Sequence, residues 1–203
     1  MSSTFLSNPQ VTVVSDFKSL ISTAYSKESN AICWERKLHA NFEEIVCKLE
    51  LQDDITEIST EQLLALDLSE NGNAAREIIL NDIQQLIAIG AAPSLNLLRA
   101  YERDDALDFI ATDVYSFHVD RSPIPTHTYL CTYFGAASDI IPNADVRQKI
   151  ENTVIEKKLR ALHEPNEGTF EAFLEQYFFD LHYEVLNDTR ITNLGIGNLW
   201  KLA

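Results

Sequence analysis

Tyr115-Ser116-Phe117-His118-Val119-Asp120-Arg121-Ser122-Pro123, running into Thr126-His127-Thr128-Tyr129-Leu130-Cys131-Thr132-Tyr133-Phe134-Gly135, is the stretch on which the reading of this chain turns. It reads as two β-strands separated by a turn bounded by proline. In the first, Tyr115, Phe117 and Val119 alternate with Ser116, His118 and Asp120, so each set occupies one face of a strand. That spacing offers an imidazole and a carboxylate side by side, the start of a facial metal triad with open coordination positions. His118 and Asp120 are therefore the candidate metal ligands, against the plainer reading of a solvated or structural His–Asp pair.

The remainder of the chain sets the frame. With 203 residues it can hold one sizeable domain, and a single domain over 1–203 is expected, with 1–30 as a lead-in and 30–203 as the core. The 31 Asp and Glu against 16 Lys and Arg leave a net charge of -15. Such a field argues against nucleic acid or an anionic membrane as a partner. Cys33, Cys47 and Cys131 are odd in number and lie far apart, without a disulfide framework or a thiolate zinc motif. Neither a signal peptide nor a membrane span is evident, and the expected compartment is the cytoplasm.

Local patterns place the elements. Gln10 to Val14 is an extended run, and Asp16 caps a short helix carrying Phe17, Leu20, Ile21 and Ala24. Residues 30–36 read as a strand, followed by a helix with Phe42, Ile45, Val46 and Leu49 on one face. Asp53 to Ser59 reads as a loop. Residues 74–89 form a stronger helix with Ile78, Ile79, Ile83, Leu86 and Ile87 as its stripe and Gly90 as its stop. Strands are expected at 95–101, 115–120 and 128–134. Helices return at 145–163 and at 169–186, where Phe170, Phe173, Leu174, Tyr177, Phe178 and Leu181 recur at steps of three and four. A last strand closes the chain before Ala203. Helices first and strands second predict an α+β fold with a β-sheet core and packed helices.

Phe117-His118-Val119-Asp120, Leu130-Cys131-Thr132-Tyr133-Phe134-Gly135 and Ile141-Pro142-Asn143-Ala144-Asp145-Val146 together resemble the bacterial family known as domain of unknown function 1826. Ile32-Cys33-Trp34-Glu35-Arg36 is similar to that family's Trp-Gln-Arg segment. The likeness covers most of residues 30–150. Gly135-Ala136-Ala137-Ser138 departs from the family's Gly-x-Gly-Thr. The family's layout is similar to the double-stranded β-helix of cupins and 2-oxoglutarate oxygenases. By that likeness the resemblance implies Fe(II) at His118 and Asp120, with 2-oxoglutarate as co-substrate. Tyr129 and Tyr133 would then be the cofactor-binding residues, holding a carboxylate through their hydroxyls. The distal His of such a site is expected just after Gly197 to Leu202, where the chain reaches its last residue, so the site is expected to be incomplete or to continue beyond Ala203.

Other chemistries fit less well. His163 sits at a helix end, His182 in an apolar stripe, His127 in a turn, and His39 has no partners. A Cys131–His127 nucleophile lacks an orienting group, and there is no Gly-rich phosphate loop. Two readings stay open: an oxygenase-like iron protein, or a metal-free cupin-like module that binds a small molecule or another protein.

Overall fold

The structure is a computed structural model that describes residues 5, 8–26, 29, 31–100, 106–110, 127–164, 168–186 and 191–203. In chain order its regular elements are β1 (Val11–Val14), α1 (Phe17–Ser22), β2 (Ala31–Trp34), α2 (Phe42–Lys48), β3 (Ile55–Glu57), α3 (Thr60–Leu64), α4 (Glu70–Ala88), β4 (Asn96–Leu98), β5 (Thr128–Leu130), β6 (Asp139–Ile140), β7 (Val146–Gln148), α5 (Thr153–Leu162), α6 (Phe170–Gln176), β8 (Tyr183–Val185), β9 (Thr192–Asn193) and β10 (Leu199–Leu202). The chain is α+β. It divides into two compact units, one of residues 1–101, 122–137 and 195–203, the other of residues 102–121 and 138–194.

The first unit is built on a four-stranded sheet in the order β1-β2-β10-β5. β1 runs parallel to β2, while β10 is antiparallel to both its neighbours, β2 and β5. The most C-terminal strand is therefore central. Alternation divides its side chains. Leu199 joins Leu20 of α1 and Ile32 of β2 in a core edged by Phe17, Trp34, Tyr129 and Cys131. Trp200 points to the other face, where Phe5 meets its ring edge-on at 5.0 Å. Asp16 caps α1 as expected, its carboxylate accepting from the Ser19 amide at 2.7 Å.

The helices α2, α3 and α4 enclose a second core of the same unit, with Phe42, Ile45, Leu63, Ala75 and Ile79 at its centre. α4 begins four residues earlier than its hydrophobic pattern suggests, because Ser69 caps it by accepting from the Gly72 amide at 3.1 Å. It ends where expected, with Gly90 in the left-handed region at φ 85°. Its buried stripe is Ala75, Ile79, Asp82 and Leu86, whereas Ile87 is exposed.

The second unit gathers Ile110, Leu159, Phe173, Leu174 and Phe179 into its own core. Two antiparallel pairs, β6 with β9 and β7 with β8, complete it.

Several expectations are corrected. The strand at 95–101 shortens to β4 and pairs with β3, so it belongs to a separate two-stranded sheet. The supposed loop at 53–59 holds β3, whose Thr56 points inward as a buried residue between two exposed ones. The strand at 128–134 ends at Leu130, and Thr132 makes only a single bridge to Ile196. Residues 115–120 lie outside the described residues. Among the described residues the sheets close no barrel, so the α+β class stands without a double-stranded β-helix.

The helix expected at 145–163 begins only at Thr153, because Val146–Gln148 pairs with Tyr183–Val185. The helix expected at 169–186 stops at Gln176. Phe178 takes a left-handed φ of 58° and is 48% exposed, which turns Phe179 inward onto Phe173 at 5.6 Å. Core packing by Phe179 and strand pairing by 183–185 outweigh the helical period, since propensity is a weak prior against tertiary context.

Candidate functional site

The sequence-predicted residues fall in different places. His118 and Asp120 lie outside the described residues. Tyr129 stands on β5, half-buried against the core beneath α1, and burial raises its phenol above the ordinary range. Tyr133 lies four residues on, beyond the end of β5, and is held on both sides. Its ring stacks on Phe42, with centroids 5.5 Å apart and planes 21° from parallel. Its hydroxyl donates to Asp82 Oδ2 at 2.8 Å. Burial first, and the negative charge of Asp82 beside it, push that phenol far upward, so Tyr133 acts as a donor.

Asp82 leads to the centre of the site. β2 delivers Trp34, and the chain beyond it delivers Arg36, whose guanidinium reaches α4. Arg36 Nη1 and Nη2 donate to the two oxygens of Asp82, each at 2.8 Å, with the side chains 7% and 2% exposed. This is the forked geometry that makes arginine–carboxylate pairs strong. Arg36 Nε donates to the Gly197 carbonyl at 2.7 Å, and Nη2 reaches Cys131 Sγ at 3.4 Å. The Arg36 amide donates to the Asn198 side chain at 3.0 Å. The guanidinium carbon lies 4.7 Å from the Trp34 ring centroid, a cation–π contact.

The electrostatics follow from burial set against pairing. Desolvation alone would weaken the charge of Arg36, but the bonds to Asp82 and its charge outweigh it and raise the guanidinium further. Cys131 moves up to about 11, first through desolvation, with Arg36 pulling it back and Asp82 adding to the rise. At neutral pH Cys131 is a thiol, so this geometry provides no thiolate nucleophile. The cluster is a fixed set of donors and acceptors. It joins the end of β2, the middle of α4, the Cys131–Tyr133 segment and the turn before β10.

That turn depends on glycine. Gly197 has φ 82°, and a Cβ there would meet Leu38 Cγ at 3.0 Å. Its amide donates to the Thr132 carbonyl at 2.8 Å while its own carbonyl takes Arg36.

Asp82 escaped the sequence reading. Its signal is present, since it sits three residues after Ile79 and four before Leu86 on the buried stripe. A carboxylate on an apolar stripe needs a partner. Among the described residues, no group of three or more His, Cys, Asp or Glu side chains is placed to hold a metal ion. No helix among them is long and apolar enough to cross a membrane.

The fold and this cluster define an α+β protein in which a buried arginine, carboxylate and tyrosine tie distant segments of one unit together. A family model described as protein of unknown function (DUF1826) matches residues 15–169, and the chain belongs to that family. No curated protein matches the chain, and no solved structure does. The matched span holds Trp34, Arg36, Asp82, Cys131 and Tyr133, whereas Gly197, Asn198 and β10 come from beyond it.

Proposed function

We propose that this chain is a small-molecule binding module whose recognition segments are held in register by Arg36, Asp82 and Tyr133. The observation that carries the reading is the convergence of two family-like segments, Trp34–Arg36 and Cys131–Tyr133, on one buried charge pair. A buried ion pair returns less stability than well-packed apolar side chains of similar volume. Its use here is explained by positioning, because the paired geometry admits one arrangement of the segments that bear it. His118 and Asp120 then act as a polar pair in the segment leading into β5.

Fe(II) and 2-oxoglutarate, which the likeness to oxygenases implies, would require a third ligand besides His118 and Asp120. That likeness expects it after β10, whose Leu199, Trp200, Lys201 and Leu202 are all buried. Tyr133 is already committed to Asp82. No step through iron is derived from His118 and Asp120, which lie outside the described residues.

The test is a thermal-shift screen of small organic acids, amino acids, sugars and nucleosides on the full chain, with chelator present. At least one class is expected to raise the melting temperature, and His118→Ala or Asp120→Asn to diminish that rise. A parallel titration with Mn(II) and Co(II) covers the competing reading. If no compound stabilises the chelated protein, while the wild type binds metal and His118→Ala does not, the binding-module reading falls to the metal-dependent one.

A further inference from the structure

We propose that the outer edge of β3 docks a basic, extended peptide segment of another protein, which adds a strand to the β3–β4 sheet beside Ile55 and Glu57. This interaction surface goes beyond the small-molecule reading and does not depend on it.

The ladder itself decides which groups face outward. β3 and β4 are antiparallel, with Ile55 opposite Leu98, Thr56 opposite Leu97 and Glu57 opposite Asn96. At the two ends the Arg99 amide donates to the Asp54 carbonyl at 2.9 Å and the Ile58 amide to the Leu95 carbonyl at 2.7 Å. Antiparallel pairs alternate between bonded and non-bonded positions. With Asp54 and Ile58 bonded to β4's side, Thr56 between them is bonded too. Ile55 and Glu57 therefore turn their N–H and C=O groups away from β4, toward the free edge.

The same two residues are open to solvent. Ile55 is 48% exposed, its partner Leu98 is 43% exposed, and Glu57 is exposed as well. Thr56 and Leu97 point the other way and are buried, Leu97 in the core enclosed by α2, α3 and α4. Residues directly opposed in such a pair share a face, so Ile55 and Leu98 form an apolar strip on the outside of the sheet. Among the described residues this sheet has two strands. An outward-facing half-ladder beside an apolar strip is the template on which an extended peptide adds as a further strand.

Charge selects the occupant. Residues 50–61 hold Glu50, Asp53, Asp54, Glu57 and Glu61 and no Lys or Arg. Arg99 pairs with Asp54 at one end of the ladder, and Glu57 is the charge that β3 itself presents. A second copy of the chain would bring the same carboxylates to the seam, and like charges across a strand pair are destabilising. A basic strand turns that repulsion into attraction. Antiparallel pairing, the more stable arrangement, then sets the order of the partner's residues. A Lys or Arg lies opposite Glu57, the next residue faces the other side, and an apolar residue follows opposite Ile55, extending the Ile55–Leu98 strip.

The test titrates the full chain with end-labelled, blocked peptides at low salt and follows their anisotropy. The probes are Thr-Thr-Lys-Thr-Val-Thr-Thr, its counterpart with Glu for Lys, and its counterpart with Pro for Val. The Pro peptide keeps the charge but lacks the N–H that the Ile55 carbonyl would accept. The Lys–Val peptide is expected to bind, and the other two at least about tenfold more weakly. Glu57→Lys should reverse the preference between the Lys and Glu peptides, and Ile55→Ser should weaken binding of the Lys–Val peptide. Exchange of the Ile55 and Glu57 amides with deuterium should slow when that peptide is present. Equal binding of the Val and Pro peptides would reduce the effect to charge attraction and overturn the proposal. Absence of binding, or binding unchanged in Glu57→Lys, overturns it as well. A wild-type dimer that Ile55→Ser dissociates, read by sedimentation, gives the edge to a second copy and refutes the basic partner. Should either variant fail to fold, amide exchange in the wild type carries the test, and rates unchanged by the Lys–Val peptide refute the site.

Discussion

Replacing Asp82 with Ala removes the carboxylate that answers Arg36, and the structure sets the size of the effect. Two charge-assisted bonds of 2.8 Å are lost, and the Tyr133 hydroxyl loses its acceptor. Among the described residues Arg36 keeps the Gly197 carbonyl, the Cys131 sulfur and the face of Trp34, with its side chain 7% exposed. Breaking a buried pair from one side costs about 3–5 kcal/mol, because a charge is left without its partner. The same reasoning demands an opposite result for the double variant Arg36→Met/Asp82→Leu, which buries no charge. It should lie within about 1 kcal/mol of the wild type, or above it. Urea unfolding at neutral pH followed by tryptophan fluorescence measures both. Trp34 and Trp200 are the chain's two tryptophans, and both belong to the unit containing the pair. The signal therefore reports that unit even if the two units unfold separately. A loss below about 1 kcal/mol in Asp82→Ala, or a double variant as unstable as Asp82→Ala, would refute the reasoning.

In the second unit, Phe173→Ala should cost about 3–5 kcal/mol, whereas the exposed Phe178 should lose under about 1 kcal/mol on truncation. Unfolding followed by far-UV circular dichroism separates them, and equal losses would restore a continuous helix through 178. Thiol labelling at neutral pH should modify the exposed Cys47 first, with half-buried Cys131 and buried Cys33 lagging. Comparable rates at Cys131 and Cys47 would contradict the protonated thiol. The Cys131 shift also makes an alkaline prediction. Its folded value is raised from 9.0 to about 11, so the stability it contributes is complete below pH 9 and is lost as pH climbs through about 11. Urea midpoints across pH 8–11 should fall less steeply in Cys131→Ala than in the wild type.

The short-range grammar of the chain was legible before any coordinates. Asp16 as a cap, Gly90 as a stop, the Val11–Val14 run and the stripe through Ile79 and Leu86 are all local, and local sterics and hydrogen bonds settle them. The α+β class followed from their order. Two segments that carried the resemblance, Trp34–Arg36 and Cys131–Tyr133, form one cluster, although their meeting was not foreseen.

What required the tertiary structure was every relation between distant residues. The period at 169–186 is helical by sequence alone, yet burying Phe179 on Phe173 and pairing 183–185 with 146–148 stabilise a different backbone. Asp82 looks like a flaw in an apolar stripe until Arg36, forty-six residues away, is brought against it. Lys201 reads as an ordinary alternation in a terminal strand until β10 takes the centre of the sheet and buries its ammonium. Caps, stops and periods depend on a few neighbouring residues, so sequence determines them. Which partner a buried charge meets depends on where packing delivers the chain, and only the fold decides that.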